Sequence, residues 1–493
     1  MKVVPRVKRP DEGHSRADFL LKGGNKMEIK YRVVNAPVNP ETFARHRNKK
    51  IVLESATTHQ TKGRYSIVVF ETYGECTLYK EKLLIKTPHQ TKSITDAPFD
   101  ALKKYIDAYY AKVEEPQLKA LPFISGFMGY CSFDLVRHAF PVLKKYPIEG
   151  EGCDALFHMV ESVYVFDHYK EQIYVITTNL FSNATESELE SRLDAMMLEF
   201  DQLQLFENEE SSTLPEKHIE TNVSDADFIQ RVKMFKQLIQ QGDMFQVVPS
   251  RVYRYKHYFD NKVNSLSYQL YQQLKRNNPS PYMFYYNMGA QIFVGSSPES
   301  FVKVKDREVM TNPIAGTIKR GKTSQEDLDN EETLLTDEKE LSEHRMLVDL
   351  GRNDILRIAE PGSLKIPKLM TIERYEHVMH IVSEVIGTLN AHVSPMDVIT
   401  SLLPTGTVSG APKVRAIQRI YEAHPYQRGV YSGGVGYINC DHALDLALAI
   451  RTMVIDETYV NVEAGCGVVY DSIPEKELEE TRLKAKSLLE VTL

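Results

Sequence analysis

Apolar residues along the chain recur at two spacings, every second position and every three to four, and each change of spacing marks a predicted element. "GRYSIVVFET" (63–72) and "VYVFDHYKEQIYVITT" (163–178) read as strands, the second as a hairpin turning near Asp167–Lys170. "PFDALKKYIDAYYAKV" (98–113) reads as a helix, with Phe99, Leu102, Ile106 and Tyr109 near a 3.6-residue period. The polar, acidic run "FENEESSTLPEKHIETNVSDADF" (206–228) then reads as a linker.

Beyond it Ser224 can cap a helix whose apolar stripe is Phe228, Val232, Phe235 and Ile239 and whose end is Gly242. "DMFQVVPSRVYRY" (243–255) follows as a strand. Strands and helices then alternate through "QIFVGSSPESFVKV", "DEKELSEHRMLVDLGRND", "YEHVMHIVSEVIGTL", "GVYSGGVGYI", "ALDLALAIRTMVI" and "YVNVEAGCGVVY" to a last helix, "PEKELEETRLKAKSLLE". Many hairpin-like strands with interspersed helices predict an α+β fold. No fixed-period repeat is present.

Composition narrows the function classes. The 493 residues are 42% hydrophobic and 26% charged, which suits a globular chain with a large core, and the net charge of −7 argues against nucleic acid. No apolar run approaches a membrane span. Five scattered cysteines without C-x-x-C spacing indicate neither zinc nor a dithiol and fit a reducing cytoplasm. Residues 1–26 lack an apolar core, so they are no secretory signal, and they lack a clean period; with Met27 opening a more regular segment, they are expected to be a disordered, dispensable extension. The expected divisions are 1–26, 27–215 and 216–493.

Candidate chemistry lies mostly after residue 240. Glu477, Glu480 and Lys484 share one face of the last helix, following Pro474 in its first turn. That face could bind a cation and an anionic substrate, or be a solvated row of ion pairs. Glu340 and Glu343 share a face of an earlier helix, where Glu340 could pair with His344. Oxygen ligands from two helices suit Mg2+, and a surface network is the alternative. His380 sits in a β-branched run, either as a satisfied core residue or as a proton carrier. In "LPTGTVSGAPKVRAI", Gly406 and Gly410 flank Thr407 and Ser409 before a helix begun by Pro412, and turn amides there could hold an anion, with a carboxylate favoured because the nucleotide P-loop pattern is absent. Gly465 and Gly467 offer a second nest. Arg451, in a predicted strand, needs an anionic partner. Together these suit a small molecule with two carboxylates.

From about Ser224 to Leu493 the chain resembles the chorismate-utilising enzymes, and among them the anthranilate synthase large-subunit (component I) family. "FQVVPSR", "SSPESF", "PIAGT", "DEKELSEHRMLVDLGRNDI", "GTVSGAPK", "RGVYSGGVGY", "IRTMV" and "DSIPEKELEETRLKAK" occur in family order. The resemblance implies a large antiparallel β-sandwich core with helices packed outside, the chorismate-binding fold. Ala315 stands where similar aminodeoxychorismate synthases carry a nucleophilic Lys, and Gln246 where isochorismate and salicylate synthases carry a water-activating Lys. The first implies direct addition of ammonia, and the second disfavours hydroxylation by water.

The resemblance further implies the roles of individual residues. Glu343 and Glu480 would ligate Mg2+, with Glu340 and Glu477 acting directly or through water. Arg451, Tyr431 and the Gly465–Gly467 amides would hold the enolpyruvyl carboxylate, and Thr407 and Lys484 would complete the anion site. Glu299 would be the general acid, His380 would assist loss of pyruvate, and Thr317 would contact substrate. Cys466 replaces the family's usual Ala between the two glycines and is expected to point away. "IVLESAT" and "NNPSPYMFYY" resemble the halves of a tryptophan-binding element, which would place Ser55, Pro281, Tyr282 and Met283 in an inhibitor pocket, with Val52 a mild departure. A tryptophan count of zero fits a tryptophan pathway enzyme. No Cys sits in a glutaminase elbow, so a separate glutamine amidotransferase subunit in a heterotetramer is implied. Aminodeoxychorismate synthase and a non-catalytic chorismate- or tryptophan-binding protein are the alternatives.

Overall fold

Strands from both sides of residue 215 are hydrogen-bonded into the same two sheets, in a computed structural model that describes residues 27–36, 38–55, 63–201, 215–289, 291–374 and 378–492. The expected extension over 1–26, and residues 206–214 of the expected linker, lie outside the described residues. Among the described residues one sheet has eleven strands and the other twelve, and every pairing between these strands is antiparallel. The first sheet runs from Ile29–Val34 at one edge, through Lys50–Glu54, Tyr282–Asn287 and Ile292–Ser297, to Tyr459–Gly465, Ser250–Lys256 and Glu220–Thr221. The second runs from Ile314–Lys319 and Val378–Thr388 through Ser300–Lys305, Leu444–Leu448, Gly434–Asn439 and Gly126–Cys131 to Thr91–Ile94.

The period-two strands bury both faces because the sheets stack. Ile67, Val165, Phe284 and Phe293 of the first sheet meet Met128, Tyr130, Val435 and Tyr437 of the second. Tyr130 packs edge-on against Phe293 with ring centres 4.8 Å apart, a geometry that contributes about 0.5–1.5 kcal/mol beyond the buried area. Helices cover the outer faces. Val263–Asn277 and Pro474–Leu489 bury Leu270, Leu274, Ala485 and Leu488 against the first sheet. Pro98–Asp107, Glu338–Leu356 and Pro395–Leu402 bury Leu102, Ile106, Val348, Ile355 and Ile399 against the second. The expected α+β sandwich with helices outside is therefore the observed architecture.

Local expectations hold with specific departures. Ser224 accepts from the Asp227 amide and caps Asp225–Gln240, whose buried residues are Phe228, Val232, Phe235 and Ile239. The hairpin turns between Ser162–Asp167 and Gln172–Thr178. The helix read over 98–113 stops at Asp107, six residues early. The strand read over 243–255 is interrupted at Val248-Pro249, since proline has no N–H to continue a ladder.

Two further strand readings are corrected in a way that builds the site. "QIFVGSSPESFVKV" is two strands, Ile292–Ser297 and Ser300–Lys305, in different sheets. "ALDLALAIRTMVI" divides likewise into Leu444–Leu448 and Thr452–Ile455. Arg451 is thus outside a strand, at a backbone φ of +50°. The two crossings are tied to each other: the Leu448 amide donates to the Glu299 carbonyl at 3.0 Å, and the Ser296 amide to the Arg451 carbonyl at 3.0 Å.

Candidate active site

The seam where the chain twice leaves one sheet for the other gathers most of the sequence-predicted residues. Glu299 lies in the first crossing, 8% exposed, and accepts a 2.8 Å hydrogen bond from the Thr407 hydroxyl. Burial pushes its carboxyl up to about 7, against the opposing effects of Thr407 and the Lys484 ammonium. Thr407 is held from behind by Thr405, hydroxyl to hydroxyl at 2.7 Å. Thr407 sits in the short helix Gly406–Ser409 and Thr405 just before it, and Glu299, Thr405, Gly406 and Thr407 line one cleft with Asn312 and Pro313.

The second crossing presents Arg451. Its guanidinium donates to the Lys484 carbonyl at 2.6 Å and feels the Glu480 charge, while burial lowers its pKa. Lys484 donates to the Gly465 carbonyl at 3.0 Å and pairs with Glu480 at 2.6 Å. So the i,i+4 pair expected of a surface helix is present, yet its ammonium also reaches the glycine nest. Close approach explains both glycines. A side chain at Gly465 would meet the Pro249 carbonyl at 2.7 Å and the Tyr431 hydroxyl at 2.8 Å, and one at Gly467 would meet Gln246 Nε2 at 2.8 Å. Cys466 between them is fully buried in the apolar cluster of Phe133, Val247, Val468 and Leu478, and burial raises its thiol pKa, with Glu477 and Glu480 adding to the rise.

The carboxylates of two helices converge on the same place. Gln246, 2% exposed, donates to Glu343 at 3.1 Å. Burial raises the Glu343 carboxyl, and the Glu480 charge adds to it. Glu340 and Glu477 are raised too, first by burial and then by neighbouring carboxylates that include Glu480. Glu477 Oε2 is buried without a hydrogen-bond partner. Among the described residues no three His, Cys, Asp or Glu side chains already stand in the spacing of a closed metal cage. Mutually repelling, part-buried oxygen donors with an orphaned oxygen are nevertheless a set that a hard cation would relieve, and they fit Mg2+.

Three predicted residues lie on the two strands that pack against the helix carrying Glu340 and Glu343. Ala315 belongs to Ile314–Lys319, whose register against Val378–Thr388 slips by one residue between Ala315 and Thr317. The slip sets Thr317 opposite His380, with Thr317 Oγ1 2.9 Å and the Gly316 carbonyl 3.2 Å from His380 Nδ1. Burial lowers the pKa of His380, which favours a neutral ring. The expected Glu340–His344 pair does not form. His344 is fully buried on the sheet side of its helix and hydrogen-bonds the Ser383 hydroxyl at 2.6 Å.

The predicted inhibitor residues gather elsewhere. Lys50–Glu54 pairs with Tyr282–Asn287, Glu54 opposite Met283, so Ser55 stands at the end of a strand beside Pro281 and Tyr282. Tyr282 and Met283 face opposite sides of the sheet. Tyr282 donates to Asp445 at 3.1 Å between the sheets, whereas Met283 is buried in the outer core. Ala56 and Thr57 of the same element lie outside the described residues.

Sequence reading missed several buried charges. Lys413 of "GAPK" is spent on Asp354 at 2.6 Å and on the Ser401 and Leu402 carbonyls. Arg428 is buried, and Glu463 part-buried, behind Tyr431 and Gly465. An ionisable residue inside an apolar strand, as in "YVNVEAG", is the one signal that could have drawn attention to Glu463.

Comparison with known proteins agrees with this fold. Residues 48–490 match the family described as chorismate binding enzyme. The chain belongs to that family. As a member it is 40% identical over 447 residues to anthranilate synthase component 1 of Lactococcus lactis, covering 90% of this chain and 94% of that one. It is 38% identical over 448 residues to the Aquifex aeolicus protein of the same name, covering 89% and 88%. The crystal structure of anthranilate synthase component I from Streptococcus pneumoniae superposes with a TM-score of 0.76 at 34% identity, covering 93% of this chain and 99% of that chain. The menaquinone-specific isochorismate synthase of Escherichia coli, 18% identical, shares the fold with a TM-score of 0.70 over 96% of this chain and 97% of its own. Among the described residues no helix is long and apolar enough to cross a membrane.

Proposed function

We propose that this chorismate-utilising lyase is the large subunit of an anthranilate synthase, joining ammonia to chorismate and releasing anthranilate and pyruvate. The observation that carries the reading is the convergence at one seam of a buried, proton-holding Glu299, a cationic and glycine-lined anion pocket, and carboxylates from two helices. Chorismate has two carboxylates and a departing hydroxyl, and the seam offers a partner for each.

Glu343 and Glu480, with Glu340 and Glu477 directly or through water, would hold Mg2+, which when bound offsets and orients the ring carboxylate. Arg451, Tyr431 and the Gly465–Gly467 amides receive the second carboxylate, with Thr407 and Lys484 closing the pocket. Glu299 gives its proton to the departing 4-hydroxyl oxygen as ammonia adds at ring carbon 2. A carboxyl near 7 is well matched to that transfer at neutral pH. Ala315 leaves room for the incoming amine and offers no nucleophile, and Gln246, a neutral amide, cannot activate water. His380, its Nδ1 held by Thr317 and the Gly316 carbonyl, takes a proton from the ring as pyruvate leaves. Ammonia comes from a glutamine amidotransferase subunit, and tryptophan inhibits at Ser55, Pro281, Tyr282 and the backbone of Met283, whose side chain lies on the opposite face of the sheet.

The test is a fluorescence assay for anthranilate from chorismate and ammonium, with and without Mg2+ and tryptophan. Mg2+-dependent anthranilate formation is expected, with Glu343→Gln abolishing it. An aminodeoxychorismate product, or chorismate binding without turnover, would overturn the reading.

A further inference from the structure

Arg428 is 6% exposed and reaches two segments at once. Nη1 donates to the Val408 carbonyl at 3.1 Å and Nη2 to the Val248 carbonyl at 2.6 Å. Its guanidinium carbon lies 4.6 Å from the Phe133 ring centre and 5.8 Å from that of Tyr431. Val408 directly follows Thr407, Val248 is two residues beyond Gln246, and Tyr431 is three beyond Arg428 itself. A buried carboxylate, Asp134, and a part-buried one, Glu463, both feel this cation. Asp134 accepts from the Gly429 amide at 3.2 Å and the Tyr421 hydroxyl at 3.0 Å. Glu463, two residues before Gly465, accepts from the Ser250 hydroxyl at 2.5 Å. One guanidinium is therefore bonded to, or packed on, the segments that carry Gln246, Thr407 and Tyr431.

We propose that Arg428 is a positioning residue for the anion pocket: its rigid fork, closed on the Val408 and Val248 carbonyls, fixes the spacing of Thr407, Gln246 and Tyr431 around the substrate. This rests on the chorismate reading above. The fork matters because two donors at a fixed angle span two carbonyls, which a lysine ammonium on a flexible stem does not reproduce. Both Nη groups of Arg428 are taken up by backbone carbonyls, so it acts through the segments it holds. Loss of the fork should loosen binding of substrate and transition state alike, which raises KM more than it lowers kcat.

The experiment compares the full wild-type chain with Arg428→Lys and Arg428→Ala in ammonium-dependent anthranilate formation, with thermal melting alongside. For Arg428→Lys we expect a chorismate KM raised about tenfold or more, kcat within about threefold, and an unchanged KM for ammonium. For Arg428→Ala, added methylguanidinium should restore the chorismate KM in a concentration-dependent way, an effect on KM that a purely structural brace would not give. A folded Arg428→Lys protein with wild-type KM overturns the proposal, and so does one that melts below assay temperature. If wild type binds chorismate without turnover, the functional reading fails, and the same comparison by calorimetric Kd still decides the role of Arg428.

Discussion

The seam and the space between the sheets are both buried and both contain ionisable groups, yet they are built in opposite ways. At the seam several ionisable groups have an answering group from a distant part of the chain: Glu299 with Thr407, Glu343 with Gln246, Lys484 with Gly465 and Arg451 with the Lys484 backbone. Between the sheets His158 is 3% exposed, and neither ring nitrogen has a hydrogen-bond partner. The nearest carboxylate is Glu75, 3.9 Å from Nδ1, and the Tyr286 ring lies 5.7 Å away, centre to centre. Burial holds this ring near 4, whereas burial of Glu299 holds a proton to about 7. The same desolvation thus stores a neutral acid where chemistry is proposed and a neutral base where only packing is seen.

The largest effect expected from breaking this contrast is at Glu299. Glu299→Gln keeps the shape and the contact with Thr407 but removes the transferable proton, so kcat should fall by roughly 10²–10⁴-fold, with chorismate binding retained. Because the protonated form is the working one, wild-type kcat should decline as pH rises through about 7. The Lys484 ammonium opposes the rise, so Lys484→Gln should move that decline to higher pH. A pH–rate profile without a limb near 7 would remove Glu299 from the general-acid role.

Next in size is the glycine nest. Gly465→Ala would drive a methyl into the Pro249 carbonyl and the Tyr431 hydroxyl at under 3 Å, contacts that real Cβ atoms do not make. The expected result is a chorismate KM raised by roughly 10–100-fold in a protein that still folds. A wild-type KM would mean that the pocket lies elsewhere. In the inter-sheet region, Ser55→Ala should weaken tryptophan inhibition by roughly tenfold, the range for one hydrogen bond to a charged group, and leave kcat untouched. An unchanged inhibition curve would separate Ser55 from the regulatory role.

What could be read from the sequence follows the same division. Glu340, Glu343, Glu477, Glu480 and Lys484 were legible because helical spacing fixes which side chains share a face. Spacing does not say which neighbour a face meets, and so His344, expected beside Glu340, is turned to Ser383. The two strand-like runs holding Glu299 and Arg451 read as continuous because each half keeps its alternation. Only long-range pairing, Ile292–Ser297 in one sheet and Ser300–Lys305 in the other, reveals the crossings. Arg428 was missed for a related reason: its partners are carbonyls of Val248 and Val408, and backbone acceptors leave no mark in a sequence.

The smallest expected effect is on stability rather than activity, and it tests the inter-sheet side alone. His158 takes up its proton near 4 in the folded chain and near 6.5 when unfolded, so below 6.5 the unfolded state binds more protons. Its neutral packing therefore stabilises fully above 6.5, and the contribution is lost as pH falls toward 4. The whole span is about 3 kcal/mol at 1.36 kcal/mol per pH unit. Glu299 runs the other way: its proton is held to about 7 when folded, so stability from this group rises as pH falls from 7 toward 4.5. In urea unfolding between pH 7 and 4.5, His158→Phe should flatten the acid-side loss, and Glu299→Gln should steepen it. If both variants shift the curve in the same direction, the two burials do not act in opposite senses, and the contrast between seam and sheet interior fails.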